Sequence, residues 1–282
     1  MARYKAPTTR LRRLALQLRQ LREEAGLSHH QVANETGLVA STLFRLETAK
    51  TKPQLRTLRT LCSLYGTSPA RQQELEALLR AASEETWLQP ASEYLPRPYA
   101  AYIGFEREAS ALHNFEPSFV PGLLQTEAYA RAVIAGSAPN ASPEEVDGRV
   151  AARLKRQELL TRQEPLTLEA VIDEAVLHHL VGGKAVMRSQ VERLREVSRR
   201  PNITLQVIPY ETGAHPGMYG GFAILRFQEA QDVVYIESSA NDLFLEGQED
   251  VGRCSLMFAD LQKLALSPEV SDALLAKVLE ED

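Results

Sequence analysis

Cysteine is scarce in this chain: Cys62 and Cys254 are the only two among 282 residues, far apart and outside any CxxC pair. That argues against a disulfide framework or a structural zinc site, and for two buried apolar thiols. No apolar run reaches the ~18 residues that cross a bilayer, and no apolar leader opens the sequence. A cytoplasmic protein with no membrane contact is expected. Catalytic signatures are equally thin. There is no nucleophile elbow, no dinucleotide fingerprint and no HExxH, and "VGGK" at 181–184 lacks the spacing of a phosphate-binding loop. Neither an enzyme nor a cofactor is expected.

What is present is a core and a divided charge. Apolar residues make up 44% of the chain, enough for packed domains, and the length suits two of them. The formal charge of −5 hides an asymmetry. Residues 1–80 carry fourteen Lys/Arg against six Asp/Glu, a net of +8, and the remainder carries eighteen against thirty-one, a net of −13. A basic unit joined to an acidic body points to a polyanionic partner for the first part alone.

Residues 8–85 read as five helices. Leu11, Leu14, Leu18 and Leu21 recur every three or four positions in the first, which Gly26 ends. Ser28 caps the second, and "VASTLFRLE" forms the third. Helices over 55–66 and 68–85 follow, the latter with Ser68 as cap and Pro69 at its first position. Gly37 halts the second helix early. A steep crossing between two short helices needs a tight turn, and glycine reaches positive φ without a Cβ clash. Val32, Leu38, Leu43 and Leu46 then share a core, with Ala33 small because the third helix passes over it. Ala40, Ser41, Phe44, Arg45 and Thr48 are left outward, with Thr42 beside them. Hydroxyls, one guanidinium and an aromatic ring are side chains that read base edges in a major groove.

The stretch "LRQLREEAGLSHHQVANETGLVASTLFRLE" (18–47), with Pro53 after it, resembles the helix-turn-helix family of phage repressors and xenobiotic-response-element (XRE) regulators. The resemblance implies an ion pair between Arg22 and Glu47 that keeps two helices in register. It also implies a loop of Lys50, Thr51 and Lys52 touching phosphate, which positions without reading sequence. His29 stands where the family often has Gln, either as a phosphate contact or as a plain exposed side chain. Ala49 stands where Gly often follows the recognition helix. The basic start, 1–13, is either a groove-reaching arm or a solvated tail.

Residues 86–104, with Pro90, Pro96 and Pro98, read as a linker or docking strap. Trp87, Tyr94, Tyr99 and Tyr102 argue that it packs on a domain. Helices are expected over 105–115, 122–136 and 142–163, the last with Ser142 capping and Glu145 completing a capping box. Strands over 166–173 and 203–209 flank helical segments, which suggests a parallel crossover. "GFAILRF" and "VVYIES" make a hairpin, and two helices close the chain.

The segments "EREASALHNFEPSFVPGLLQTEAYARAVI", "ARLKRQELLTR", "VIDEAVLHHLVGG" and "NITLQVIP" resemble, in order, the C-terminal domain of actinobacterial Scr1-family, antitoxin-like transcription factors. That resemblance implies a homodimeric regulator acting with a small protein encoded nearby. From the residues themselves, Phe119, Leu123, Leu124 and Tyr129 around Pro121-Gly122 form either a core helix or the wall of a ligand pocket or partner groove. The stretch 210–222, with His215 and Tyr219, is either a long connection or a flap beside such a cleft. Arg149, Arg153, Arg156 and Arg162 are either a solvated face or a grip on an acidic partner. Asp173 and Glu174 are either structural or a carboxylate pair for acid–base work, and Glu174 and His178 are structural unless they meet His215 around a metal.

The expected fold is an all-α, five-helix helix-turn-helix domain over 1–85 and an α+β domain over 105–282 with a small mixed sheet and several helices. The expected function is a sequence-specific regulator, a homodimer reading two half-sites of a double-stranded DNA operator. Its C-terminal domain would answer to a small protein partner or a small-molecule effector. The alternative is an antitoxin-like module that sequesters a small partner and binds DNA to regulate itself.

Overall fold

The structure, a computed structural model, describes residues 9–81, 94–228, 230–238 and 242–281. The chain divides into two compact units, Met1–Trp87 and Leu88–Asp282. The described part of the first is wholly helical: α1 (Thr9–Glu24), α2 (His29–Thr36), α3 (Ala40–Glu47), α4 (Leu55–Leu64) and α5 (Pro69–Ala81). Leu14, Leu18, Val32, Leu43, Leu46, Leu58, Leu61 and Leu75 close one core around the free thiol of Cys62. Each such side chain contributes about 1.5–3 kcal/mol on burial. Ser28 starts α2 with a reciprocal cap: its hydroxyl accepts from the Gln31 N–H, and the Gln31 side chain accepts from the Ser28 N–H. Gly37 ends α2 at φ 71°, donating its N–H to Ala33. A Cβ there would meet nothing within 4 Å, so the backbone conformation, not crowding, requires glycine.

The second unit runs α6 (Arg97–Glu108), β1 (Ala111–Glu116), α7 (Glu127–Ser137), α8 (Pro143–Arg156), β2 (Thr167–Asp173), α9 (Ala175–His178) and α10 (Lys184–Val197). Then come β3 (Ile203–Ile208), β4 (Phe222–Arg226), β5 (Val233–Ile236), β6 (Leu243–Leu245), α11 (Gln248–Leu264) and α12 (Pro268–Glu281). Six strands form one mixed sheet in the order β3-β2-β1-β4-β5-β6. β1, β2 and β3 are parallel, and β4, β5 and β6 join antiparallel. The α10 crossover and the β4–β5 hairpin lie where the sequence pattern puts them. On one sheet face Phe115, Val171, Phe222, Ile224 and Val234 pack against Val251, Phe258 and Leu261 of α11, with the second free thiol, Cys254. Alternation turns Leu112, Asn114, Glu116, Ala223 and Tyr235 to the other face.

Several expectations are corrected. Of the strap, 86–93 lie outside the described residues, but from Arg97 the chain is helix. Pro96 is its N-cap and Pro98 lies in its first turn, where a missing N–H costs nothing. Residues 111–116 are a central strand rather than the end of a helix. "ALHNFE" pairs with β2 on one side and β4 on the other, and that pairing overrides a weak helical pattern. The expected helix over 122–136 is a 3-10 turn at Gly122–Leu124 followed by α7, which Thr126 caps. The one over 142–163 stops at Arg156 and tightens into a 3-10 turn over Gln157–Leu160. Ser142 caps α8, but the Glu145 carboxylate is held by Arg149 and not by the cap backbone. β6 carries no pattern of its own in the sequence, because three residues are too few to show a period.

Candidate functional site

α3 buries Leu43 and Leu46 and exposes Ser41, Phe44, Arg45 and Thr48, a stripe at i, i+3, i+4 and i+7. Ala40 and Thr42 flank it, half-buried. The loop beyond α3 is drawn onto this stripe. Arg45 Nε donates to the Thr51 hydroxyl at 3.1 Å, the Thr51 N–H donates to the Arg45 carbonyl at 3.1 Å, and Lys50 Nζ stands 5.6 Å from the Phe44 ring centre. Lys50 and Lys52 are exposed. Ala49 takes the left-handed position, φ 55°, that glycine commonly holds after a helix. It does so at a cost of about 1–2 kcal/mol in backbone strain.

A buried ion pair fixes the angle of presentation. Arg22 Nε and Nη2 donate to the two Glu47 carboxylate oxygens at 2.7 and 2.9 Å, and Nη1 donates to the Leu27 carbonyl at 2.9 Å. The side chains are 9% and 5% exposed. His29 Nε2 lies 2.9 Å from the same carboxylate, so the structure engages His29 with Glu47.

The second unit holds a cavity of about 740 Å³ on the sheet face opposite α11. α6 lends it Tyr99, Tyr102 and Glu106, and α8 lends it Arg149, Arg153 and Arg156. The arginines are therefore no solvated face. Arg156 is 3% exposed; its Nε and Nη2 donate to Glu106 at 2.7 and 2.6 Å, and Nη1 meets the Tyr99 hydroxyl. Burial works against the charged guanidinium, but Glu106 outweighs it and holds Arg156 charged. Arg153 donates to Gln125 at 2.9 Å and to the Tyr99 hydroxyl at 3.3 Å, while its buried Nε has no partner. Arg162 caps three carbonyls, those of Glu164, Arg107 and Ala109. Tyr102 and Tyr235 stack at 4.4 Å between ring centres.

Glu116 lines this cavity, half-buried. Burial pushes its carboxyl up to about 7, against a hydrogen bond from Asn114 that pulls it down. A carboxyl whose proton is held more tightly in the folded state adds stability below its ordinary value near 4.5 and loses that stability as pH rises through about 7. Glu116→Gln, which cannot ionise, should therefore gain on the wild type by about 2–3 kcal/mol between about pH 4 and pH 8, read by urea unfolding. An unchanged difference across that range would show that water reaches the carboxyl.

Phe119 and Leu123 line the cavity. Leu124 and Tyr129 do not; they are fully buried, and the Tyr129 hydroxyl accepts from the Val120 N–H. His215 faces Asp173 at 3.2 Å and sets its ring edge on Phe115, and Tyr219 is wholly exposed, so neither lines it. Gly220 and Gly221, from the same segment, do. Glu174 accepts from the Tyr210 N–H and lies 3.5 Å from His178, apart from the His215 pair; no metal-ligating group of three exists among the described residues. Sequence reasoning expected Tyr99 and Tyr102 to pack on a domain but placed neither them nor Glu106 in a site. Their spacing of three and four was the available signal, masked by the prolines around them.

The exposed stripe, the tight turn before it and the basic loop after it define a DNA-binding regulator of the helix-turn-helix class, and residues 13–75 match a family described as a helix-turn-helix domain. Residues 99–277 match the family described as a domain of unknown function (DUF5753). The chain belongs to that family. No curated protein and no solved structure matches it, and no described helix is long and apolar enough to cross a membrane.

Proposed function

We propose that this protein is a cytoplasmic transcriptional regulator of the repressor-like XRE type that binds its operator as a homodimer. Its second unit receives the signal, in the manner of the actinobacterial Scr1-family, antitoxin-like regulators it resembles. The carrying observation is α3, which buries Leu43 and Leu46 while presenting Ser41, Phe44, Arg45 and Thr48. In this reading those side chains meet base edges, and Lys50, Thr51 and Lys52 meet phosphate. One eight-residue helix touches few bases. A two-fold pair reading half-sites about one helical turn apart multiplies the specificity. No catalysis is assigned, and the division of Asp173, Glu174, His178 and His215 into separate pairs supports that. Genome-wide footprinting of the tagged protein should return a two-fold symmetric site. On that site Arg45→Ala should lose about 1–3 kcal/mol of binding and little on unrelated duplex. Equal loss on both would make Arg45 a phosphate contact.

A second reading, an antitoxin-like holder of a small protein, has its own support. Tyr210, Met218 and Tyr219 are 55%, 68% and 100% exposed on one connection. Exposed apolar side chains gathered in one segment favour a protein partner. Co-purification with a companion chain supports this reading, and a clean dimer counts against it.

A further inference from the structure

We propose that the cavity of the second unit binds a small amphipathic amine, one protonated nitrogen on an apolar or aromatic body. This deepens the receiving role given to that unit and rests on it. A volume of about 740 Å³ suits a small molecule. Its walls are divided in chemistry. Leu123, Val133 and Ile134 make an apolar side. Glu116, at the end of β1, and Glu237, just past β5, bring two carboxyls. Among the described residues Glu116 holds only the Asn114 amide, at 3.3 Å, and Glu237 holds no partner.

The remaining charges decide the sign of the ligand. Arg156 is neutralised by Glu106, and Arg149 by Glu145. Asp242 takes the Tyr235 hydroxyl and the Ser238 N–H. Arg153 faces both glutamates and Arg156 also reaches Glu237, but Arg153 is already bonded through Nη1 and Nη2 to Gln125 and Tyr99, and Arg156 to Glu106. An anion would find only the free Nε–H of Arg153 and would sit beside two carboxyls. A neutral molecule would leave both carboxyls without a countercharge. An ammonium supplies the missing partner where little water screens the attraction. Burial raises both carboxyls, a cost that a bound cation reverses.

Three probes sharing one body test this: 4-phenylbutylamine, 4-phenylbutanol and 4-phenylbutyrate, titrated into the full chain by calorimetry. The amine should bind at least about tenfold more tightly than the alcohol, with the carboxylate weakest. Glu116→Gln and Glu237→Gln should each erase most of the preference for the amine while leaving the alcohol unchanged. Circular dichroism confirms that each variant is folded. Equal affinity for amine and alcohol, preference for the carboxylate, or no amine binding up to about 5 mM would overturn the proposal. Adding the amine to the protein on its operator separates the two readings. Unchanged operator affinity despite amine binding would remove the receiving role and leave the cavity's ligand class standing.

Discussion

Arg156→Ala should cost the second unit about 3–5 kcal/mol. The reason is what the substitution leaves behind. Glu106 is fully buried and takes both guanidinium hydrogen bonds, at 2.7 and 2.6 Å. Without Arg156 it is a charge in a poorly solvated site, with Tyr99 and Tyr102 losing the cation that sits 5.3 and 5.2 Å from their ring centres. Chemical unfolding followed by near-ultraviolet dichroism of the tyrosines reads the loss. Replacing both partners, Arg156→Met with Glu106→Leu, should recover most of it, because no buried charge remains. Arg149→Ala is the control. Its pair with Glu145 is 24% and 32% exposed, and its loss should stay below about 1 kcal/mol. A loss that small at Arg156 would mean that Glu106 finds water or a proton without strain.

Arg22→Ala should cost the first unit a similar amount, about 3–5 kcal/mol, and weaken DNA binding with it. Glu47 closes α3, and Arg22 comes from α1; the fork between them is what holds the presenting helix against the rest. Arg22→Lys should rescue little, since an ammonium cannot donate to both oxygens and the Leu27 carbonyl in one plane. Thermal unfolding and duplex affinity should fall together. Stability lost with operator affinity intact at low temperature would show that α3 holds its angle without the pair.

The first unit was legible because its signals are local. Leucine spacing, Ser28 before a helix and Gly37 at a left-handed turn each act within a few residues. The Arg22–Glu47 pair was legible only through family resemblance, since residues 25 apart carry no local sign of contact. The second unit hid more. β1 becomes a strand because β2 and β4 flank it, and those partners lie more than 50 residues away. The arginines of α8 look like a solvated stripe until α6, disguised by its prolines, supplies Glu106 and Tyr99 against them. Leu124 and Tyr129 carry the same apolar signal as Leu123, and only packing separates core from cavity wall.

The central claim is that α3 and the loop after it meet duplex DNA. Fluorescence anisotropy of the full chain with its footprinted site, repeated from about 50 to about 200 mM salt, tests it most directly. With about six phosphates neutralised, affinity should fall by about 10³ across that range, and Lys50→Ala or Lys52→Ala should each make the slope shallower by about one phosphate. Absence of binding at about 50 mM salt, or binding indifferent to salt and to both lysines, would contradict the account.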